Sequence, residues 1–316
     1  MTTVAPPRVL SDVDEQSLRR LTRSSEKVDQ YLVDPHYRTG EQLISAADAK
    51  AATFVVLKPE AVAGRRIEMT LQALRDNGFV VVSAQIFRFT SLLFREIWRY
   101  QFNVATQDRI DVVDLILPSS ESLLLILRDS RFREDDDSCL PASCRLAGLK
   151  GPADPAARKP GDLRSILRGP TTLFNFMHTA DEPADVIREL AMLDLFTEAP
   201  ATAAVRFTEP ADPDRLAGLV DHLYRALPEH DLDATASRKR LASSGYDAVA
   251  ELAAQPDCPG WRDLVNAFPG GRIPPDALWD VLSLATAQLQ SNVPGLSPII
   301  PTVGASSWTT VGQETS

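Results

Sequence analysis

An apolar run from Thr171 to Met177 ends in a histidine, and a helical pattern begins a few residues later. No other stretch restricts the chain as much. Thr171 to Met177 reads as a short strand leading into His178. Thr179-Ala180-Asp181-Glu182-Pro183 follows, with Asp181 or Thr179 as N-cap and Pro183 in the first helical turn. Val186, Ile187, Leu190 and Leu193 then recur at helical spacing as the buried stripe. His178 thus sits at a strand end, close to a helix N-terminus. Such a terminus offers free N–H groups and a favourable dipole to anions, phosphate included. An imidazole is also a competent nucleophile once a hydrogen bond fixes its tautomer. Glu189, three turns into the helix, is placed to fold back as that partner. Alone, a histidine in this position is more often structural than catalytic, so the rest of the chain has to decide.

With 316 residues the chain has room for about two domains. The net charge of −10 argues against general nucleic-acid binding, which needs a basic face. It leaves room for a local basic pocket. Cys139, Cys144 and Cys258 are too few and too scattered for a disulfide framework or a zinc site, which fits a reducing cytoplasm. Met1 to Leu10 lacks the basic and apolar segments of a secretory signal. No apolar run approaches the roughly 18 residues of a membrane span. The expectation is a cytoplasmic protein with no membrane partner.

Residues 1–50 read as a polar, mostly helical extension, with Val13, Leu18 and Leu21 on one stripe and Val28, Tyr31 and Leu32 on another. Asp34-Pro35 ends the second segment, because the residue before proline avoids helical backbone. The loop histidine His36 reads as solvated. The main domain, residues 51–200, opens with the buried strand Thr53–Leu57 and Lys58-Pro59-Glu60-Ala61-Val62. A lysine at a strand end can hold a phosphate as a point charge. A helix carrying Ile67, Leu71 and Leu74 stops at Gly78, and Phe79–Phe87 and Ser122–Leu127 read as further strands. The aromatic segment Leu92–Phe102 reads as core helix, apart from Tyr100, and residues 106–117 as another helix. Glu134-Asp135-Asp136-Asp137 reads as a solvated loop, since like charges in a row repel rather than converge on an ion. Beyond the helix Ala142–Leu149, a proline- and glycine-punctuated loop carries Lys150, Arg158, Lys159, Arg164 and Arg168, a basic stretch in an acidic chain. Residues 210–292 read as a helical bundle, with stripes such as Leu216, Leu219, Leu223 and Leu278, Val281, Leu282 able to close on themselves. Residues 293–316 form a tail. Its Leu296, Ile299, Ile300, Val303 and Trp308 predict that it lies on another surface, its own main domain or a neighbouring subunit.

The order strand, Lys-Pro-Glu-Ala-Val, helix, strand, helices, strand, basic loop, Asn-x-x-His, helix resembles the nucleoside diphosphate kinase family over about residues 51–196. Thr53 to Val62 looks like the family's first strand and lysine signature. Gly151 to Pro155, then Leu163-Arg164, looks like its nucleotide-binding loop. Asn175-Phe176-Met177-His178 looks like the segment that bears the phosphorylated histidine. The resemblance implies a ferredoxin-like α/β fold with a four-stranded antiparallel sheet, here joined to an α-helical C-terminal domain. It implies phosphoryl transfer from a nucleoside triphosphate to a nucleoside diphosphate through phosphohistidine, with Mg2+ bridging the phosphates and no protein-held metal. Carried over, His178 is the nucleophile, Glu189 its orienter, and Lys58, Tyr100, Arg164 and Asn175 grip the nucleotide. It also implies a homo-oligomer, expected to be a dimer. There are departures. The family's second phosphate-binding arginine falls near Ala147, which leaves Arg145, Lys150 or Arg158 to replace it. Its loop threonine falls at Ala153, and its base-stacking phenylalanine near Arg109 or Ile110, where no aromatic stands. The alternative is a catalytically weak nucleotide- or partner-binding protein on the same fold.

Overall fold

The computed structural model describes residues 12–136, 138–255 and 260–309. The readings of Met1 to Leu10, Asp137, Cys258 and the end of the tail fall outside these residues.

Four strands make one sheet: β1 (Ala52–Leu57), β2 (Phe79–Phe87), β3 (Ser122–Asp129) and β4 (Met177–His178). Their order is β2-β3-β1-β4 with every pair antiparallel, a ferredoxin-like arrangement. β1 and β3 are central, and both are apolar almost throughout because both of their faces are covered. Alternate residues serve opposite layers. Val55, Leu57, Leu123, Leu125 and Leu127 join one core, whereas Phe54, Val56, Leu124 and Ile126 join the other. β3 is leucine-rich and would suit a helix, but burial on both faces overrides that propensity.

Before β1 come α1 (Asp12–Arg19), α2 (Ser25–Tyr31), α3 (Pro35–Leu43) and α4 (Ala46–Ala51). The Asp34-Pro35 pair does more than end a helix. Asp34 caps α3, accepting from the amides of His36 and Tyr37, with Pro35 at the first helical position. His36, read as a loop residue, therefore lies in the first turn of α3, where its Nε2 is 3.4 Å from Glu96 and burial pushes its pKa down. Between β1 and β2 lie α5 (Pro59–Ala63) and α6 (Ile67–Asp76). Between β2 and β3 lie α7 (Ser91–Ile97) and α8 (Gln107–Ile116). α9 (Ala142–Lys150) and α10 (Leu163–Ile166) precede β4, and α11 (Pro183–Phe196) follows it. α3 packs on α11 so closely that a side chain at Gly40 would meet the Ile187 carbonyl at 2.2 Å.

After α12 (Ala201–Ala204) come α13 (Pro213–Ala226), α14 (Ala234–Ser243), α15 (Asp247–Leu252), α16 (Trp261–Asn266) and α17 (Leu278–Gln288). These helices do not close a core of their own. Leu223, Leu241, Val249, Leu264, Val281 and Leu282 share one continuous core with Leu57, Leu123, Leu125 and Leu127. The apolar sheet face would otherwise be open to water, so their stripes are directed to it as well as to one another. The described part of the tail, up to α18 (Ser306–Thr309), lies on its own chain. The Val293 amide donates to the Val104 carbonyl at 2.8 Å, Asn103 donates to the Ser297 carbonyl, and Ile300 is buried beside Tyr100. Among the described residues no helix is long and apolar enough to cross a membrane.

Candidate functional site

The strand into His178 is shorter than its apolar sequence predicts. Only Met177 and His178 pair with β1, opposite Leu57 and Val56. Pro59 turns the partner chain into α5 just beyond, so there is no further strand to pair with. Phe176 has φ +71°, which breaks extended backbone and is costly for a residue with a Cβ. Its buried ring and a hydrogen bond of 3.0 Å from the Lys58 amide to its carbonyl hold that conformation. The helix after the histidine is capped by Glu182, one residue beyond Asp181, and Pro183 occupies its first position. Asp185 turns back to accept the Glu182 amide at 2.9 Å, so neither Asp181 nor Thr179 is needed as cap.

His178 and Glu189 meet at 2.5 Å, Nε2 to carboxylate oxygen. A carboxylate only accepts, so Nε2 carries the proton and Nδ1 keeps its lone pair. The ring is held edge-on to Trp98, with centroids 5.0 Å apart, and lies 6.0 Å from Phe54. It borders a cavity of about 300 Å³ whose lining also includes Lys58, Tyr100, Arg164 and Asn175. The predicted residues, Arg145 excepted, therefore converge on one space.

Each is held differently from the simple expectation. Lys58 lies 2.7 Å from a carboxylate oxygen of fully buried Glu60 and donates to the Leu173 carbonyl at 3.3 Å. The lysine–glutamate contact is a close ion pair without hydrogen-bond alignment, and both Glu60 oxygens lack an aligned donor among the described residues. Burial pushes the Lys58 pKa down, against the attraction of Glu60. Arg164 donates to the carbonyls of Gly151 (2.9 Å) and Met177 (3.0 Å) and to the Asn175 side chain (3.2 Å). It ties the loop after α9 to the histidine strand. Burial, then the charge of Arg158, lowers its pKa to about 10, so it stays cationic near neutrality. Asn175 is fixed in turn by its own bond to the Thr172 carbonyl. Tyr100 donates its hydroxyl to Asp34 at 2.8 Å, and burial together with that carboxylate pushes its pKa up to about 12.

Arg145 is not at the cavity. It forks onto Asp129, donates to the Asn77 carbonyl at 2.9 Å and stacks on the Phe79 ring at 4.0 Å. Asp129, at the end of β3, is a nearly buried carboxylate that needs a cation, and Arg145 on α9 is the one in reach. Arg158 is likewise occupied, donating to the carbonyls of Pro152, Ala153 and Gly169 and so shaping the loop. Of the three replacement cations, Lys150 alone lines the cavity, paired with Asp181 at 2.9 Å. Among the described residues no group of three histidine, cysteine or acidic side chains is placed to hold a metal ion.

Other lining residues are invisible to local sequence reasoning. Trp98 and Phe102 pack against the core and also line the cavity, and Arg109 enters it from the first turn of α8. Lys27 comes from the N-terminal extension, and Ile300, Pro301 and Thr302 from the tail. Lys27 is paired with Glu182 (2.7 Å) and Asp185 (2.9 Å); burial alone would lower its pKa, but the two carboxylates raise it well above the usual value. Glu182 also accepts from the Thr22 hydroxyl, the Arg23 amide and the Trp308 indole, the last at 2.9 Å. One buried carboxylate thereby binds extension, main domain and tail together. The only hint in the sequence was the number of apolar residues in the tail.

No family model matches the chain. Thioredoxin domain-containing protein 6 of Xenopus laevis is 24% identical over 151 residues, 48% of this chain and 23% of that protein. The chain thus spans about a quarter of the length of this curated relative. Similar solved structures include a nucleoside diphosphate kinase from Aquifex aeolicus, with 22% identity and a TM-score of 0.37, over 45% of this chain and 94% of that one. They also include a halophilic nucleoside diphosphate kinase from Halobacterium salinarum in complex with CDP, with 18% identity and a TM-score of 0.39, over 54% of this chain and 98% of that one. A third, from Encephalitozoon cuniculi, has 17% identity and a TM-score of 0.37, over 45% and 87% of the two chains.

Proposed function

We propose that this chain is a divergent nucleoside diphosphate kinase-like phosphotransferase that works through phosphohistidine. The observation that carries the reading is the His178–Glu189 bond at 2.5 Å, at the wall of a cavity lined by Lys58, Arg109 and Arg164. With Nε2–H held by Glu189, Nδ1 is the nucleophile. Its lone pair attacks the γ-phosphorus of a nucleoside triphosphate, the Nδ1–P bond forms, and the bond from that phosphorus to the bridging oxygen breaks. The nucleoside diphosphate leaves with the electron pair. A terminal phosphate oxygen of the acceptor then attacks the same phosphorus and His178 regains its lone pair. Glu189 stabilises the positive charge that develops on the ring, and Lys58 and Arg164 stabilise charge on the transferring oxygens. Magnesium carried on the nucleotide would supply further neutralisation of the phosphates, beside Lys58 and Arg164 of the cavity lining.

Incubation with γ-labelled ATP and magnesium tests the reading. Wild type should give an acid-labile, base-stable phosphoprotein, and His178→Ala none. Folded wild type that takes no label, or His178→Ala that takes as much, refutes it. A second reading, a nucleotide- or partner-binding protein with weak catalysis, is favoured by the commitment of Lys58 to Glu60 and of Tyr100 to Asp34. It predicts nucleotide binding without label.

A further inference from the structure

Two guanidinium groups border the His178 cavity with no carboxylate hydrogen-bonded to them among the described residues. Arg164 is satisfied only by neutral oxygens, those of Gly151, Met177 and Asn175. Arg109 donates one terminal nitrogen to the side-chain oxygen of Asn292 at 2.5 Å. The Nε–H of each is buried without an acceptor among the described residues. The lysines of the cavity differ: Lys27, Lys58 and Lys150 each have a carboxylate within 2.9 Å. A buried donor left unmade is unfavourable, and a native chain keeps one where something else supplies the acceptor.

The two guanidiniums come from different helices. Arg164 comes from α10 and reaches the Met177 carbonyl, next to His178. Arg109 comes from α8, whose Val113 and Ile116 also line the cavity. Burial holds the Arg109 pKa below the usual guanidinium range, and no neighbouring carboxylate offsets it. If a phosphoryl group delivered to His178 is held by Arg164, which reaches the neighbouring Met177 carbonyl, the Arg109 donor is left for a different acceptor. A neutral aromatic base offers that donor little. A second anion offers it a charge-assisted bond in a partly desolvated place.

We propose that Arg109 is a specificity-determining residue that selects ligands carrying a second anionic group, carboxylate or phosphate, apart from the phosphoryl chain that faces His178. That such ligands act as acceptors rests on the phosphotransferase reading; that they bind rests on the cavity alone.

Calorimetry on the full chain with two matched pairs of probes tests this. Uridine 5′-diphosphate is compared with orotidine 5′-diphosphate, which adds a carboxylate on the base. ADP is compared with ADP bearing a 3′-phosphate, which adds the charge on the ribose. In wild type at least one added anion should tighten binding roughly tenfold or more, the least expected of a charge-assisted contact. The preferred pair identifies which source of negative charge the site takes. Arg109→Gln should bring that ratio to within about twofold of one. Arg109→Lys keeps the charge and loses the planar fork, so its ratio should lie between the two. Equal binding within both pairs in wild type overturns the proposal, as does an unchanged ratio in either variant. If Arg109→Gln does not fold, the lysine variant decides alone. Label on His178 from ATP without anion selectivity removes only this inference. Selectivity without label removes the phosphotransferase reading and leaves the anion site standing.

Discussion

Asp34 ties the N-terminal extension to Tyr100 of the cavity and to Arg188 of α11, and its removal has a calculable cost. One carboxylate oxygen accepts from Arg188 Nε and from the Tyr100 hydroxyl, each at 2.8 Å. The other accepts from the amides of His36 and Tyr37 at 2.8 and 3.0 Å. Asp34 and Arg188 are 2% and 1% exposed, so neither has water to fall back on. Asp34→Asn can keep the cap, with its amide oxygen toward α3, but then turns an NH2 group toward the Arg188 donor. Tyr100 can rotate its hydroxyl to accept, whereas Arg188 has only the carbonyls of Ile97 and Glu96 left. A buried charge stripped of its partner costs about 3–5 kcal/mol. Asp34→Ala also loses the cap, about 1 kcal/mol more. Urea unfolding at pH 7 should show both as a fall in midpoint at unchanged slope, with alanine the lower. Pairing Asp34→Ala with Arg188→Met should cost less than the sum of the single changes, because no orphaned charge remains. The pH dependence has a definite sign. Burial raises the Asp34 pKa, but Arg188, then the Tyr37 amide and Tyr100, pull it below the usual carboxylate range. The stability it contributes is therefore present above its unfolded value of about 3.9 and is lost as pH falls through the lower folded value. The Asp34→Asn deficit should be constant from neutrality to about pH 5 and shrink below about pH 4. A deficit under about 1 kcal/mol at pH 7, or one that grows in acid, would refute the reasoning.

Glu189→Gln should slow phosphohistidine formation by about 10- to 100-fold, measured as the initial rate of labelling, since an amide cannot offset the imidazolium charge; wild-type rates in that variant would remove Glu189 from the mechanism. Arg145→Met should cost about 3 kcal/mol in urea unfolding by orphaning Asp129, while labelling of the protein that remains folded proceeds at the wild-type rate; slowed labelling would return Arg145 to the site. A chain ending at Asn292 loses the Trp308–Glu182 bond and the Ile300 contact, so its melting temperature should fall. Light scattering on the full chain should give a homo-oligomer, with a dimer expected, and a monomeric full chain would refute that expectation.

Three strands were legible in the sequence because runs such as Phe54-Val55-Val56-Leu57 and Leu123-Leu124-Leu125-Ile126 carry their burial in their composition. His178 and Lys58 stood out because each lies at a strand end where local chemistry suits phosphate, and Glu189 because helical spacing lets it fold back on the histidine; Tyr100, Arg164 and Asn175 were singled out by the family resemblance alone. The fourth strand was overestimated, because pairing length depends on the partner: β1 runs out at Lys58-Pro59, and Phe176 turns away. Arg145 was misplaced for a related reason. Its sequence position suits the loop, but a buried carboxylate elsewhere in the fold, Asp129, claims it. Lys27 was out of reach, since nothing in its own segment distinguishes it from an ordinary surface residue; Arg109 was met only where the stacking phenylalanine is missing, and Ile300 only as one of the tail's apolar residues. Local sequence determined the kinds of element and the pairing of His178 with Glu189, because periodicity and capping act over a few residues. Only the tertiary structure decided which charges are neutralised and which stay open at the cavity, because ion pairing depends on distances between segments far apart in the chain.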